Sequence, residues 1–271
     1  MEHDDDLQAL ARVARVVAAA RDAMLAEVRP GITTGELDAV GRDVLRAASA
    51  RSAPRLAYRF PGWTCISVND EAAHGVPSLT RHLREGDLVN VDVSAELDGY
   101  WADTGASAPV GRVSPERSRL VEATRAAQQD AMAAACAGRP LRHIGRAVER
   151  RARRSGFRVV ADLCGHGVGR HIHEEPSVPG VEDRRDRTVL WEGLVLAIEP
   201  FLSTGATSVV EADDGWTLRT PDGSVTAQFE HTVVITQGAP LVLTAPAAES
   251  NGQYESVRAR RSGGRRARRS P

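Results

Sequence analysis

The residues with the clearest chemical potential in this 271-residue chain are acids in apolar surroundings. Asp92 interrupts the apolar run from Val89 to Val93, and Glu199 directly follows the run from Leu194 to Ile198. A carboxylate in a segment apolar enough to be buried is costly unless a cation or hydrogen bonds compensate its charge. The other acids of this kind are Asp103 and Glu230. Taken singly, each acid is more simply explained as an outward residue on an antiparallel sheet, which is what most acids in strands are.

A histidine-rich segment adds a nitrogen ligand to these oxygens. His166 lies in Cys164 to Arg170 (C-G-H-G-V-G-R), where glycines allow tight turns and close approach of the backbone. His173 follows, and we regard the intervening His171 as incidental. One nitrogen and several carboxylates suit a pair of divalent ions such as Mn, Fe, Co or Zn, and the absence of a cysteine cluster argues against structural zinc. A metal pair lowers the pKa of water and polarises a carbonyl, which is hydrolytic chemistry.

A predicted hairpin aligns the first two acids. Leu88 to Glu96 has the pattern of a strand, Asp98-Gly99 is a two-residue turn, and Tyr100 to Ala106 forms the returning strand. With that turn, Asp92 faces Gly105 and Asp103 faces Ser94, so the two acids are diagonal neighbours on one face. We expect the same arrangement for Glu199 and Glu230, the latter within a strand from Phe229 to Ile235.

Amphipathic helices precede each group of acids. The first pattern spans residues 7 to 28 and stops at Pro30-Gly31, and a capping box of Thr33 and Glu36 starts the next helix. The layout recurs about a hundred residues later: Ser114-Pro115-Glu116 opens a helix to about Ala137, and another follows. The apolar positions of this last helix are Leu141, Ile144 and Val148.

The repeat extends beyond the helices. His74-Gly75-Val76 returns as His166-Gly167-Val168, and both Asp92 and Glu199 lie six residues after a Glu-Gly pair. Two units of helix, helix, His-Gly turn and acid-bearing strand predict a duplicated α+β fold, with helices covering a curved, mostly antiparallel sheet. A cleft between the halves would receive side chains from both.

Composition limits the class of protein. Forty-two per cent hydrophobic residues support a core, the three scattered cysteines favour a reducing compartment, and the acidic N-terminus is unlike a secretory signal. No stretch has the length of apolar sequence that spans a membrane, so we expect a soluble, cytoplasmic protein. Residues 258–271 hold seven arginines and no acid. We therefore predict a catalytic domain at 1–250 and a solvated, disordered arginine-rich tail at 251–271 that is a candidate for RNA contact.

Several motifs, in order, resemble the type I methionine aminopeptidases. They cover about residues 7 to 245 and are, in chain order, Asn69 to Pro77 (N-D-E-A-A-H-G-V-P), Asn90 to Val93, Asp103-Thr104, Cys164 to Pro176 (C-G-H-G-V-G-R-H-I-H-E-E-P), Ile198 to Pro200 and Ala227 to Thr232 (A-Q-F-E-H-T). The resemblance implies the pita-bread fold and removal of the initiator methionine from nascent polypeptides whose second residue is small. It implies two divalent metal ions, and we expect a monomer.

The resemblance also implies roles for individual residues. Asp92, Asp103, His166, Glu199 and Glu230 resemble the five metal ligands, with Asp103 and Glu230 bridging. By the same resemblance His74 and His173 contact substrate, Glu199 shuttles a proton, and His173 steadies the carbonyl oxygen. The implied methionine pocket consists of Phe60, Cys65 and Trp216.

The chain departs from the family pattern near that pocket. Ile172 stands where an aromatic residue is usual, Ala73 where cysteine is common, and Trp63 where a small or basic residue is usual. Two alternative functions stay open at this point. One is a proline-specific aminopeptidase or prolidase of the same fold, although only about seventy residues precede His74 here. The other is a non-catalytic ribosome-binding relative, which filled ligand positions disfavour.

Overall fold

The computed structural model describes residues 4–245, so the predicted domain boundary at residue 250 and the arginine-rich tail lie outside the described residues. The described helices are α1 (Asp4–Ala26), α2 (Thr34–Ala47), α3 (Ala53–Tyr58), α4 (Pro115–Ala134) and α5 (Arg142–Ser155). None of these helices combines the length and hydropathy that a bilayer span requires.

The strands are short except for one hairpin. They are β1 (Arg51–Ser52), β2 (Cys65–Val68), β3 (Glu71–Ala73), β4 (Leu88–Leu97), β5 (Tyr100–Pro109), β6 (Arg158–Val159), β7 (Cys164–Gly167), β8 (Glu174–Pro179), β9 (Val195–Ile198), β10 (Phe201–Ser203), β11 (Val210–Glu211), β12 (Leu218–Arg219), β13 (Thr226–Gln228), β14 (His231–Val234) and β15 (Leu241–Val242). Every pairing among these strands is antiparallel.

The predicted helix starts are confirmed by their caps. Thr33 Oγ1 accepts from the Glu36 N–H at 3.1 Å, and Glu36 Oε2 accepts from the Thr33 N–H at 2.8 Å, which completes the capping box before α2. Ser114 caps α4, with Pro115 in the first turn where its missing N–H costs nothing. These local signals mark where α2 and α4 begin.

Two helix pairs cover two groups of strands, as the repeat predicts. Strand β4 pairs with β1, β2 and β5, and α1 packs on the β4–β5 hairpin beside α2. The second group runs in the order β15-β14-β9-β7-β8, and a short sheet β13-β10-β6 lies next to it. Each group encloses a hydrophobic core, the first around Val13, Met24 and Val91 and the second around Leu120 and Leu196. Complete burial of such a side chain contributes about 1.5–3 kcal/mol.

The hairpin register is the predicted one. Asp92 pairs with Gly105 and Asp103 pairs with Ser94, across strands of ten residues each. The turn residues Asp98 and Gly99 have φ of 54° and 81°, the positive values that a tight two-residue hairpin turn requires. Asp92 and Asp103 therefore project from one face of the hairpin.

The expected strand through Glu230 is wrong in detail. Strand β9 ends at Ile198 opposite His231, and the next pairing in the same register joins Phe201 to Gln228. Glu199 and Glu230 thus occupy facing positions in a gap of the ladder, and they are not diagonal neighbours on continuous strands. Pro200 explains the gap, because proline has no N–H to donate to a ladder.

Strand β5 of the first half approaches the second half at this gap. Ala106 forms an isolated bridge with Phe229, and the Glu230 N–H donates to Gly105 O at 2.8 Å. The β4–β5 hairpin, which carries Asp92 and Asp103, therefore lies beside the gap in the ladder at which Glu199 and Glu230 are located.

Candidate metal centre

The first half contributes two acids whose carboxyl groups lie within hydrogen-bonding reach of each other, Asp92 and Asp103. Asp103 is buried, and its Oδ1 accepts from the Thr104 N–H at 2.9 Å. Its backbone N–H donates to Thr232 Oγ1 at 3.0 Å, and that hydroxyl donates back to Asp103 O at 2.7 Å. Asp103 is thus held by both halves of the molecule.

The second half contributes Glu199 and Glu230. Glu230 is 1% exposed, and its Oε2 accepts from Gln228 Nε2 at 3.1 Å. Asn90 Nδ2 donates in turn to Gln228 Oε1 at 2.8 Å, so the amide of Gln228 is oriented from the first half. The backbone of Glu230 is fixed as well, because Thr104 Oγ1 donates to its carbonyl at 3.0 Å.

His166 on β7 presents one defined nitrogen to these acids. Its Nδ1 lies 2.9 Å from Gly167 O, which makes Nδ1 the donor and leaves the lone pair on Nε2. Nε2 is 3.4 Å from Glu199 Oε1 and 3.9 Å from Asp103 Oδ2. A backbone carbonyl that orients the imidazole in this way is the usual partner of a metal-ligating histidine.

The ligand atoms converge. One atom each from Asp103, His166 and Glu230 lie within 4.8 Å of one another, and all three residues are buried. Asp92 and Glu199 adjoin this group and keep some exposure. The sequence-predicted set of five is therefore brought together, from segments far apart in the chain.

The electrostatics of the cluster are unfavourable without cations. Burial raises the pKa of Asp92 to about 6, and burial together with neighbouring carboxylates raises the pKa of Asp103, Glu199 and Glu230 well above the ordinary range. Burial also lowers the pKa of His166 to about 4, which keeps the imidazole neutral and able to bind a metal. Divalent ions would compensate the carboxylate charge.

One atom indicates what the cluster accommodates. Glu230 Oε1 is buried and has no hydrogen-bond partner among the described residues. An unsatisfied buried carboxylate oxygen costs free energy unless something coordinates it. A set of carboxylate oxygens with one imidazole nitrogen fits divalent ions of borderline to hard character, so these residues fit a metal centre.

Two further histidines, His173 and His74, lie near His166 and the acids. His173 stands edge-to-face on His166, with ring centroids 4.3 Å apart, and removal from water and the nearby His74 lower the pKa of His173. His74 has φ of 56°, an uncommon left-handed conformation for a non-glycine residue. The two His-Gly-Val repeats therefore place their histidines differently: His166 lies among the acids, whereas His74 is exposed and lies near His173.

Phe60 and Trp216, two of the three predicted pocket residues, pack edge-to-face with centroids 5.3 Å apart. The third, Cys65, pairs with Asp92 across β2 and β4 and is buried. Burial and the acids raise the pKa of the Cys65 thiol well above its usual value, so it behaves as a small apolar group. Phe60 is 3% exposed, whereas Trp216 is partly exposed.

The unusual residues near the pocket lie in different places. Ile172 is buried, and Trp63 packs against the first core with the Arg55 guanidinium 5.4 Å from its ring centroid. Ala73 is buried on β3 opposite Leu218. His171 is exposed, and its backbone N–H donates to Glu174 Oε1 at 2.7 Å, in keeping with an incidental role for its side chain.

Three residues around the site were missed by sequence reasoning. Gln228 and Asn90 precede Glu230 and Asp92 by two positions, so the two-residue period of a strand places them on the same face and could have found them. Tyr58 contacts His173 from the end of α3, and no pattern in the sequence indicates it.

Comparison with known proteins gives the family context of this geometry. The profile of Metallopeptidase family M24 matches residues 8–237. The chain is 46% identical over 243 residues to methionine aminopeptidase 2 of Bacillus subtilis, covering 89% of this chain and 98% of the relative.

Solved structures agree on the architecture. The methionine aminopeptidase of Thermotoga maritima superposes with a TM-score of 0.88 at 32% identity, covering 90% of this chain and 98% of that one. The prolidase of Pyrococcus furiosus superposes with a TM-score of 0.71 at 23% identity, covering 91% of this chain and 65% of that one. The predicted pita-bread fold is confirmed.

Proposed function

This chain belongs to metallopeptidase family M24, and we propose that it removes the initiator methionine from nascent proteins whose second residue is small. The observation that carries the proposal is the convergence of Asp103, His166 and Glu230 within 4.8 Å, in a chain 46% identical to a methionine aminopeptidase. Because this family consists of metallopeptidases, the chain is a metal-dependent hydrolase.

The proposed ligands of two divalent ions are the five converging residues. Asp103 and Glu230 would bridge the ions, because they are the most buried of the four acids in the cluster and Glu230 Oε1 has no other described partner. The outer ligands are Asp92, His166 and Glu199. When bound, such a pair lowers the pKa of a water and polarises a peptide carbonyl. Its metals are Co, Mn, Fe or Zn, since ligand softness does not separate these ions further.

The chain's own residues supply proton transfer and charge stabilisation. The water that attacks a peptide carbonyl loses a proton, and the departing amine gains one. Glu199 is placed to carry this proton, because its carboxyl has a raised pKa and its side chain is not fully buried. His173 donates a hydrogen bond to the carbonyl oxygen as negative charge develops there.

The substrate side chain has a matching surface. The edge-to-face pair of Phe60 and Trp216 offers aromatic contact to a thioether, and buried Cys65 extends the apolar surface toward Asp92. His74 contacts the substrate from its left-handed position beside the cleft. Methionine fits such a pocket better than a charged residue does, because the side chains of Phe60, Cys65 and Trp216 are uncharged.

The rival functions have less support. The similarity to a prolidase is at 23% identity and concerns the fold alone. A non-catalytic relative would have no need of the converging acids, which destabilise the protein unless cations bind. Neither rival explains why a chain 46% identical to a methionine aminopeptidase keeps all five side chains in one cluster.

A peptide panel tests the proposal directly. The protein is stripped of metal with a chelator, reloaded separately with Co, Mn, Fe and Zn, and given Met-Ala-Ser, Met-Leu-Ser and Ala-Pro-Ser. We expect metal-dependent release of methionine from Met-Ala-Ser, much less from Met-Leu-Ser and none from Ala-Pro-Ser. Preferred cleavage of Ala-Pro-Ser would instead identify a proline-specific peptidase, and no hydrolysis with any ion would refute catalysis.

The cellular location follows from the proposed substrate. We propose a cytoplasmic enzyme, since nascent chains emerge there and the cysteines Cys65, Cys136 and Cys164 are free thiols. It acts as a monomer, which sedimentation velocity checks.

We further propose that the arginines of residues 258–271 contact ribosomal RNA. Deleting this segment should lower ribosome association in a salt-sensitive manner without changing Met-Ala-Ser hydrolysis, and unchanged association would dismiss the contact.

A further inference from the structure

Tyr58 occupies an unusual place for an exposed tyrosine. It is the last residue of α3, a six-residue helix, and it is 47% exposed. Its hydroxyl forms a short hydrogen bond with Nδ1 of His173, and the two rings lie 5.5 Å apart with a 38° tilt. The hydroxyl of Tyr58 therefore occupies Nδ1 of His173, and the other ring nitrogen, Nε2, is left for other partners.

The helix that carries Tyr58 is fixed at both ends. Ser52 caps its N-terminus and Pro54 lies in its first turn, while Arg59 ends it in a left-handed conformation with φ of 63°. The Arg55 side chain donates to Pro61 O at 3.3 Å, which ties the helix to the loop that follows. Tyr58 is thus presented to His173 by a braced segment, although it is half exposed.

His173 is held from two sides. One side of the ring meets His166 edge-to-face at 4.3 Å, and the Nδ1 edge meets Tyr58. With Nδ1 occupied, Nε2 is the nitrogen left to face a substrate. Whether Nε2 carries a proton depends on which partner donates in the Tyr58 contact.

The chemistry of the pair decides the donor. An imidazole nitrogen with a free lone pair is a stronger acceptor than a phenol oxygen, and a phenol is a good donor. The phenol of a tyrosine and the imidazole of a histidine are both mainly neutral above pH 7. The neutral tyrosine donates to Nδ1, and the imidazole keeps its single proton on Nε2.

We propose that Tyr58 is a positioning residue that holds His173 in the Nε2–H tautomer and orients it, so that the Nε2–H donates to the carbonyl oxygen of the scissile peptide. The proposal rests on the role of His173 in the proposed function. The opposite tautomer would present a lone pair to an oxygen that gains negative charge, which is repulsive.

Three variants separate the hydroxyl from the ring. Tyr58→Phe removes only the hydroxyl, Tyr58→Leu removes the ring as well, and Tyr100→Phe is the matched control. Tyr100 also loses a bonded hydroxyl in this change, but its partners are Asp6 and Arg170, outside the site. We expect Tyr58→Phe to lower kcat on Met-Ala-Ser about 5- to 10-fold with KM within 2-fold, since one hydrogen bond acting in the transition state is lost. Tyr100→Phe should be unchanged.

A spectroscopic measurement tests the tautomer without any turnover. In zinc-loaded, ¹⁵N-histidine-labelled protein, the His173 signals are identified by their absence in His173→Gln. We expect a protonated Nε2 and an unprotonated, hydrogen-bonded Nδ1, with the Nδ1 signal shifted in Tyr58→Phe. A protonated Nδ1 in the unaltered protein would overturn the proposal.

The kinetic outcomes are equally separable. Unchanged kcat in Tyr58→Phe with a loss only in Tyr58→Leu, or a rise in KM alone, would reduce Tyr58 to an apolar wall and overturn the proposal. If the unaltered protein fails to hydrolyse Met-Ala-Ser, the proposed function fails, while the nitrogen signals still report on the Tyr58 contact.

Discussion

The two pairs of acids in the candidate metal centre are positioned by different means. Asp92 and Asp103 project from an uninterrupted hairpin of ten-residue strands, so backbone hydrogen bonds fix their spacing. Glu199 and Glu230 face each other where the second ladder is interrupted. Side chains, chiefly the Gln228 amide, replace the missing ladder there.

The first half makes room for this support. A Cβ added at Gly105 would lie 2.3 Å from Gln228 Oε1, so the glycine opposite Asp92 allows the amide to approach. The comparison teaches that the aspartates depend on a ladder, whereas the glutamates depend on a few polar side chains. Removing a metal ligand, changing the charge of the acid cluster, removing the Gln228 amide and altering the hairpin turn should therefore have effects of different size.

The largest effect is expected from removing a ligand of the hairpin. Asp103→Ala should lower kcat/KM on Met-Ala-Ser at least about 1000-fold and abolish the heat of Mn²⁺ binding, because a proposed bridging oxygen is lost. The matched control is Asp183→Ala, which removes an exposed acid. Substantial metal-dependent turnover by Asp103→Ala would refute the bridging role.

The second effect concerns charge in the metal-free protein. The raised pKa values mean that folded carboxyls hold protons that unfolded ones have released, so stability is lost as pH rises. The lowered pKa of His166 makes stability rise with pH instead, but only below about pH 6.5, where an unfolded histidine binds a proton and the buried one does not. The free energy of unfolding of the metal-free protein, measured with urea, should therefore fall between pH 6.5 and 8. The expected decrease is about 2 kcal/mol for each carboxyl that stays protonated over this range.

Variants sharpen this comparison between the pairs. Glu230→Gln should flatten the pH dependence in that window more than Asp92→Asn does, because Asp92 has a pKa of about 6 and is mostly deprotonated before the window begins. Metal-loaded protein should show a smaller decrease or a rise, since the ions bind the deprotonated form. A rise in the stability of the metal-free protein toward pH 8 would contradict the predicted direction.

The third effect tests the amide that supports the glutamates. Gln228→Met keeps the length of the side chain but removes the donor to Glu230 and the acceptor for Asn90. We expect Mn²⁺ binding, measured by calorimetry, to weaken about 10- to 100-fold, as for other outer partners of metal ligands. Gln237→Met is the control, because Gln237 is exposed and bonds Glu192. Equal affinities in the two variants would show that the interrupted ladder needs no such support.

The same contrast explains what the sequence could predict. The Asp92 and Asp103 register follows from the Asp98-Gly99 turn by counting, since a hairpin is local. The glutamate pair joins strands separated by a long connection, and treating 229–235 as one strand overlooked the break, although Pro200 signalled it. Tyr58 could not be predicted, because its contact with His173 depends on how a short helix and a distant loop meet.

The smallest effect is expected from the hairpin turn itself. Gly99 has φ of 81°, and a Cβ there would have only an ordinary contact, 3.7 Å from the Arg170 side chain. Gly99→Ala should therefore cost about 1 kcal/mol of stability through backbone strain alone. Ten paired positions hold the register of Asp92 and Asp103, so kcat/KM on Met-Ala-Ser should stay within 2-fold. Gly138→Ala, at φ of 82° with open space around it after α4, is the matched control for strain. A drop in activity beyond that of Gly138→Ala would mean that the turn, rather than the ladder, sets the spacing of the aspartates, and the two halves of the site would then be equally sensitive to single contacts.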